Sequence, residues 1–75
     1  MTKNGNVKFY GRSSINARLL STAGITICYS GETRFLDRMV AGYFFTYNGE
    51  VCFMTTRLFN MIMAMPNNVT VCDDI

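Results

Sequence analysis

The dipeptide Asn48-Gly49 lies between two apolar segments, and it constrains the fold of this chain more than any other feature. The flanking segments are Tyr43–Tyr47 and Glu50–Thr55. A type I′ turn requires a positive φ at both central residues, and Asn followed by Gly adopts that conformation readily. The sequence therefore predicts a β-hairpin over residues 43–55, with a two-residue turn that fixes its register.

This register assigns the side chains of the hairpin to two faces, and both faces are apolar. One face carries Tyr43, Phe45, Tyr47, Cys52 and Met54, and the other carries Phe44, Thr46, Val51, Phe53 and Thr55. Phe44 and Phe53 form a non-hydrogen-bonded pair, in which side chains are closest. A hairpin with one solvated face normally alternates apolar and polar residues. We therefore expect a central hairpin, covered by helices on one face and by a subunit or partner on the other.

Three short alternating segments predict strands outside the hairpin. They comprise residues 7–10, 25–29 and 69–72, and alternation of this kind is typical of strands with one buried face. In the first segment, Val7 and Phe9 are expected to point into the core.

Two helices are predicted from capping residues and helical spacing. The first, over residues 14–23, is capped by Ser13 or Ser14 and ends at Gly24, which supplies a left-handed stop. The apolar residues expected on its buried face are Ile15, Leu19, Leu20 and Ala23. The second, over residues 56–65, follows a threonine cap and precedes a proline. Because it is apolar on nearly all sides, it is expected to be buried on all sides.

Residues 32–41 fit two interpretations. The apolar positions that favour a short helix are Phe35, Leu36, Met39 and Val40, which recur at helical spacing. The alternative is a hairpin that turns through Ser30-Gly31 into a strand over residues 33–36.

Together these elements predict a single α+β domain over residues 1–75, with residues 1–6 as a flexible tail. The fold is a small, mostly antiparallel β-sheet of about five strands, with two or three helices packed on one face and the 43–55 hairpin at its centre. A chain of this length builds a small core and usually needs disulfides, a metal or oligomerisation as further support.

Residues that support catalysis or metal binding are scarce. The chain has no histidine, and its three cysteines are isolated in sequence, so neither a metal site nor a disulfide is predicted. Cys28, Cys52 and Cys72 are interpreted as buried thiols in a reducing cytoplasm. The terminal pair Asp73-Asp74 is expected to be solvated. We expect no enzymatic activity and no cofactor, and no secretion signal or membrane span.

Composition favours a protein-binding function. Charged residues make up only 16% of the chain and hydrophobic residues 49%, so part of the surface is expected to be covered by protein. By elimination of other support, a homodimer is predicted. The residues expected at its interface are Leu58, Phe59, Met61, Ile62, Met63 and Met65.

The leading hypothesis is a small cytoplasmic module that inhibits or modulates a larger host protein by occupying its surface. Accessory proteins of phages and mobile elements that act on host polymerases, or on CRISPR and restriction defence complexes, share this general character. Interface cores favour aromatic residues, Met and Arg. The residues expected to bind the partner are Arg34, Arg38, Tyr43, Phe44, Tyr47 and Phe53.

The alternative is a small basic regulator that binds nucleic acid, since the net charge is +2. Its cationic residues would be Lys8, Arg12, Arg18, Arg34, Arg38 and Arg57. Residues 41–47 partly resemble the aromatic strand of RNA-recognition-motif domains, with Gly42, Tyr43 and Phe45 at matching positions. Ala41, Phe44 and Asn48 depart from that pattern. The resemblance implies an aromatic face on which bases stack.

Overall fold

The computed structural model describes residues 7–72, which form a five-stranded mixed sheet and two helices. The elements are β1 (Lys8–Tyr10), α1 (Ser14–Ala23), β2 (Thr26–Phe35), β3 (Arg38–Tyr47), β4 (Glu50–Thr55), α2 (Thr56–Met63) and β5 (Thr70–Val71). The strand order is β1-β4-β3-β2-β5. The predicted α+β class is confirmed. The predicted tail, residues 1–6, and the pair Asp73-Asp74 lie outside the described residues.

The sheet is antiparallel at its centre and parallel at both edges. β3 pairs antiparallel with β2 and β4, whereas β1 pairs parallel with β4 and β5 pairs parallel with β2. α1 connects the edge strand β1 to β2, and α2 connects β4 to the edge strand β5. Only a tight hairpin turn requires its two strands to be antiparallel, so these edges are free to pair in the parallel direction.

The predicted central hairpin is confirmed with its register. Asn48 and Gly49 have φ values of 54° and 79°, as a type I′ turn requires. Phe44 lies opposite Phe53, and Tyr47 lies opposite Glu50. The turn dipeptide alone therefore set the pairing of β3 with β4.

The helix predicted over residues 32–41 is wrong, because this segment forms the end of β2 and the start of β3. The alternative strand interpretation is correct about the secondary structure but misplaces the turn, which lies at Leu36-Asp37 between the paired residues Phe35 and Arg38. A short isolated helix is marginally stable. The ladder with β3 instead satisfies the backbone groups of β2 along its length.

Both helices cover the sheet face that carries Phe45, Cys52 and Met54, as expected. The core there contains Ala17, Leu20, Ile25, Ile27, Phe45, Cys52, Met54, Leu58 and Ile62. Thr55 caps α2 by accepting a hydrogen bond from the Leu58 backbone N–H at 3.1 Å.

The predicted ends of α1 are confirmed, but of the residues predicted on its buried face only Leu20 is buried. Ser13 caps the helix, and Gly24 follows it in the left-handed conformation with φ 74°. The buried residues are Ala17, Leu20 and Ser21, whereas Ile15 is 80% exposed. The exposed face also includes Leu19 and Ala23. α1 packs against α2, and tertiary contacts of this kind select its rotation. The Ser21 carbonyl also accepts a hydrogen bond from the Asn68 N–H at 2.8 Å.

β1 also presents a different face from the predicted one. Its parallel register places Phe9 beside Phe53, on the sheet face opposite the helices. Tyr10 instead packs against the helix-covered core, with its ring 5.6 Å from that of Phe45. Residue alternation identified this strand correctly but did not specify which face is covered by helices.

Gly42 lies where β3 and β4 approach each other closely. A Cβ atom at Gly42 would collide with the Met54 carbonyl oxygen and would lie 2.7 Å from Cζ of Phe53. A Cβ atom at Gly31, which pairs with Gly42, would lie 3.2 Å from Cε2 of Phe44. Only Gly42 would therefore meet backbone atoms that cannot move without shifting a strand.

We expect Gly42→Ala to lower the free energy of unfolding by about 3 kcal/mol or more, because the new methyl group forces β3 and β4 apart. Gly31→Ala is the matched control and should lower the free energy of unfolding by less than about 1.5 kcal/mol, since the Phe44 side chain can move aside. Urea unfolding followed by circular dichroism measures both. Equal losses in the two variants would contradict the close approach at Gly42.

Candidate functional site

The sheet face opposite the helices carries a cluster of aromatic rings, here named the aromatic face. Its members are Phe9, Tyr29, Phe35, Phe44 and Phe53. The ring centroids of Phe9 and Phe35 are 4.1 Å apart and nearly parallel. Phe53 lies 5.6 Å from Phe9 and 5.0 Å from Phe44, and Tyr29 stacks on Phe44 at 4.8 Å.

The contact between Phe9 and Phe35 shows how this face is covered. Phe35 ends β2 and Phe9 lies in β1, and β3 and β4 separate these strands in the sheet. The far end of the β2–β3 hairpin must therefore bend across the face to bring the two rings together. As a result, Phe53 is fully buried without any partner.

The residues predicted to bind a partner differ in their accessibility. Phe53 is enclosed by this chain and has no surface to offer, so it is unsuitable as a contact residue. Phe44 and Tyr47 are half-buried, and Tyr43 stacks on Phe59 at 4.1 Å over the helix-covered core. Arg34 and Arg38 are exposed near the end of the β2–β3 hairpin.

The residues predicted at a dimer interface divide in the same way. Leu58 and Ile62 are fully buried in the core of the chain, so they are not available to a dimer contact. The half-buried members Phe59, Met61 and Met65 pack against that core. Met63 is 38% exposed. The helix is therefore amphipathic in the folded chain, with the sheet and α1 covering one side.

The turn of the β2–β3 hairpin is the site that the sequence patterns missed. We name residues 35–39 the hairpin tip. Leu36 is 78% exposed and has a φ of 59°, a left-handed conformation that costs a non-glycine residue about 1–2 kcal/mol. Phe35 and Met39 are also exposed. Leu-Asp is not a favoured turn dipeptide, and the helical spacing of the surrounding apolar residues predicted a helix instead of a turn.

Three of the predicted cationic residues surround one cleft of about 550 Å³, here named the arginine cleft. The described residues that line it are Arg12, Arg38, Val40, Ala41, Thr55, Thr56 and Arg57. They come from the β1–α1 connection, from β3 and from the start of α2. Arg18 instead lies on the exposed side of α1, where it lines a separate groove with Ile15 and Leu19.

The three cysteines are free thiols. Cys52 is fully buried, whereas Cys28 and Cys72 are half-buried. Burial raises the pKa of the Cys52 thiol, and the Glu50 carboxylate raises that pKa further, while Lys8 partly opposes the change. A raised pKa depletes the nucleophilic thiolate, so Cys52 is suited to packing.

Within residues 7–72, no group of three or more Cys, Asp or Glu side chains is arranged to hold a metal ion. No helix in that part of the chain is long and apolar enough to cross a membrane. Comparison with protein-family models, characterised proteins and solved structures found no match to this chain.

We expect Phe53→Ala to lower the free energy of unfolding by about 3–5 kcal/mol, because it leaves a cavity between the rings of Phe9 and Phe44. Tyr29→Ala, at the exposed end of the same cluster, should cost about 1 kcal/mol. Urea unfolding measures both variants. A Phe53→Ala protein as stable as Tyr29→Ala would show that this face is not a second core.

We also expect iodoacetamide at pH 8 to alkylate Cys52 at least about tenfold more slowly than Cys28 and Cys72, because the buried thiol reacts only when the structure opens. Peptide mass spectrometry over a time course measures the three rates, and a sample unfolded in urea is the control. A Cys52 rate equal to the others in the folded chain would refute its burial.

Proposed function

We propose that this protein is a binding module that modulates a larger protein by occupying its surface, and that it docks through the hairpin tip. The observation that carries the proposal is Leu36, which is both largely exposed and held in a left-handed backbone conformation. Phe35 and Met39 are 40% and 55% exposed beside it. Large apolar side chains that are exposed together favour a site of protein contact.

The turn residue itself supports a role beyond folding. Gly, Asn or Asp would adopt the left-handed conformation at lower cost than Leu36. Strained residues that break a local rule concentrate at functional sites, where the side chain has a use that offsets the strain. Here the use would be to insert an apolar side chain into a partner.

Strand pairing and a ring contact tie the tip to the rest of the fold, which favours binding. β2 and β3 pair from Thr26 opposite Thr46 to Phe35 opposite Arg38, and the Phe35 ring stacks on Phe9. A contact surface that is ordered before binding loses less conformational entropy when the complex forms.

Charge beside the tip indicates the chemistry of the partner. Arg34 and Arg38 are exposed on either side of the turn, which contains one acidic residue, Asp37. A partner surface with an apolar pocket and an acidic rim would complement this arrangement. We extend the proposal to a cytoplasmic, phage- or mobile-element-type inhibitor of a host polymerase or defence complex, and to a homodimer. Low charge and abundant Met and aromatic residues support these finer assignments.

Leu36→Asn should separate binding from folding. Because Asn tolerates the left-handed conformation, we expect the free energy of unfolding to rise by about 1 kcal/mol. Partner binding should fall more than about tenfold, because the inserted apolar side chain is lost. Urea unfolding measures the first effect, and quantitative capture from nuclease-treated bacterial lysate measures the second.

Ile15→Gln is the matched control, since it also removes a highly exposed apolar side chain, but from α1. The proposal requires proteins that the wild type and Ile15→Gln capture equally and that Leu36→Asn loses. Capture retained by Leu36→Asn would exclude the tip as the docking site. If the wild type captures nothing once nucleic acid is removed, the protein-binding function itself is rejected.

A further inference from the structure

The arginine cleft collects positive charge without a matching negative charge. Arg12, Arg38 and Arg57 come from three separate parts of the chain. No acidic residue is among the described residues that line this cleft. Like charges that share a concave surface repel one another and raise the local positive potential, which attracts an anion.

The position of Arg57 supports the same conclusion independently. It is the second residue of α2, and the first turn of that helix contains no acidic residue. A helix N-terminus carries a partial positive charge, so a cation there is unfavourable and an anion is stabilising. Arg57 thus breaks the rule for helix ends at the place where Arg12 and Arg38 also converge.

We propose that the arginine cleft binds a phosphate group, supplied either by the backbone of single-stranded nucleic acid or by a small free phosphate compound. Guanidinium groups bind phosphate oxygens through pairs of parallel N–H donors. The site shares Arg38 with the hairpin tip, but the apolar residues Phe35, Leu36 and Met39 do not line it, so phosphate binding does not depend on the proposed protein contact.

The Thr55 hydroxyl and two backbone N–H groups at the start of α2 fit this assignment. The Thr56 hydroxyl already donates to the Ala41 carbonyl at 3.3 Å, and the Thr55 hydroxyl oxygen already accepts from the Leu58 N–H. Because the Thr55 hydroxyl oxygen is the acceptor of the Leu58 N–H, the hydroxyl hydrogen of Thr55 is still available to donate. The backbone N–H groups of Thr56 and Arg57 have no acceptor within α2, because they belong to its first turn.

The size of the cleft favours a ligand larger than a lone phosphate ion. Its volume of about 550 Å³ lies within the range of small-molecule sites.

The test compares two double variants with the same formal net charge of zero, against +2 for the wild type. Arg12→Gln/Arg57→Gln removes two guanidinium groups from the cleft. Lys8→Gln/Arg18→Gln removes two cations from outside it. The probes are a fluorescent oligothymidylate of about ten nucleotides, thymidine monophosphate and inorganic phosphate, measured by anisotropy and calorimetry at fixed ionic strength.

We expect the cleft variant to bind the probes at least about tenfold more weakly than the wild type, and the control variant to lose much less. For the oligonucleotide, the slope of log affinity against log salt should become less steep by about 1.4, the change expected when two phosphate contacts on a single strand are lost. The melting temperature of the cleft variant should be unchanged or raised, because Arg57→Gln removes a cation from a helix N-terminus.

Binding of the oligonucleotide assigns the site to nucleic acid, whereas binding of thymidine monophosphate or phosphate alone supports the site and assigns it to small phosphate compounds. Equal losses in the two double variants would show attraction by net charge only and would overturn the proposal. Failure of the wild type to bind any of the three probes would also overturn it.

Discussion

Phe53 contacts Phe9 on one side and Phe44 on the other, and the rest of the fold depends on this contact. Phe9 belongs to an edge strand that pairs through only three residues. Its ring is in turn covered by Phe35 from the far hairpin. The stacked rings therefore join the first strand of the chain to the end of β2. Aromatic pairs of this geometry contribute about 0.5–1.5 kcal/mol beyond the area that they bury.

The consequence is a sheet with apolar material on both faces. Two helices cover one face through the core around Phe45 and Leu58, and the bent β2–β3 hairpin covers part of the other. A chain this short gains little from a single core. Folding its own hairpin across the second face provides additional burial, which the apolar hairpin pattern predicts from a subunit or partner.

When the hairpin covers the second face in this way, two features remain exposed at the surface. The turn at Leu36 extends beyond the aromatic rings and remains exposed. The arginine cleft forms where β3, the β1–α1 connection and the start of α2 meet. Both features carry local costs, which are a left-handed leucine in one case and a cation at a helix N-terminus in the other. Such costs are why these two features, rather than the buried aromatic residues, support proposals about function.

The sequence by itself determined the features that depend on a few neighbouring residues. Asn48-Gly49 specified its hairpin and register, because positive φ at both positions is a local property. Ser13 and Gly24 specified the ends of α1 for the same reason. Tertiary structure decided the turn at Leu36-Asp37, the buried side of α1 and the face occupied by Phe9. The buried side of α1 and the face of Phe9 depend on elements that are distant in sequence, and short-range periodicity carries no information about them. The turn depends on the ladder between β2 and β3 and not on a favoured turn dipeptide. The same distinction holds for the arginine cleft. The sequence identifies its arginines as cations, but only the folded chain brings Arg12, Arg38 and Arg57 to one cleft.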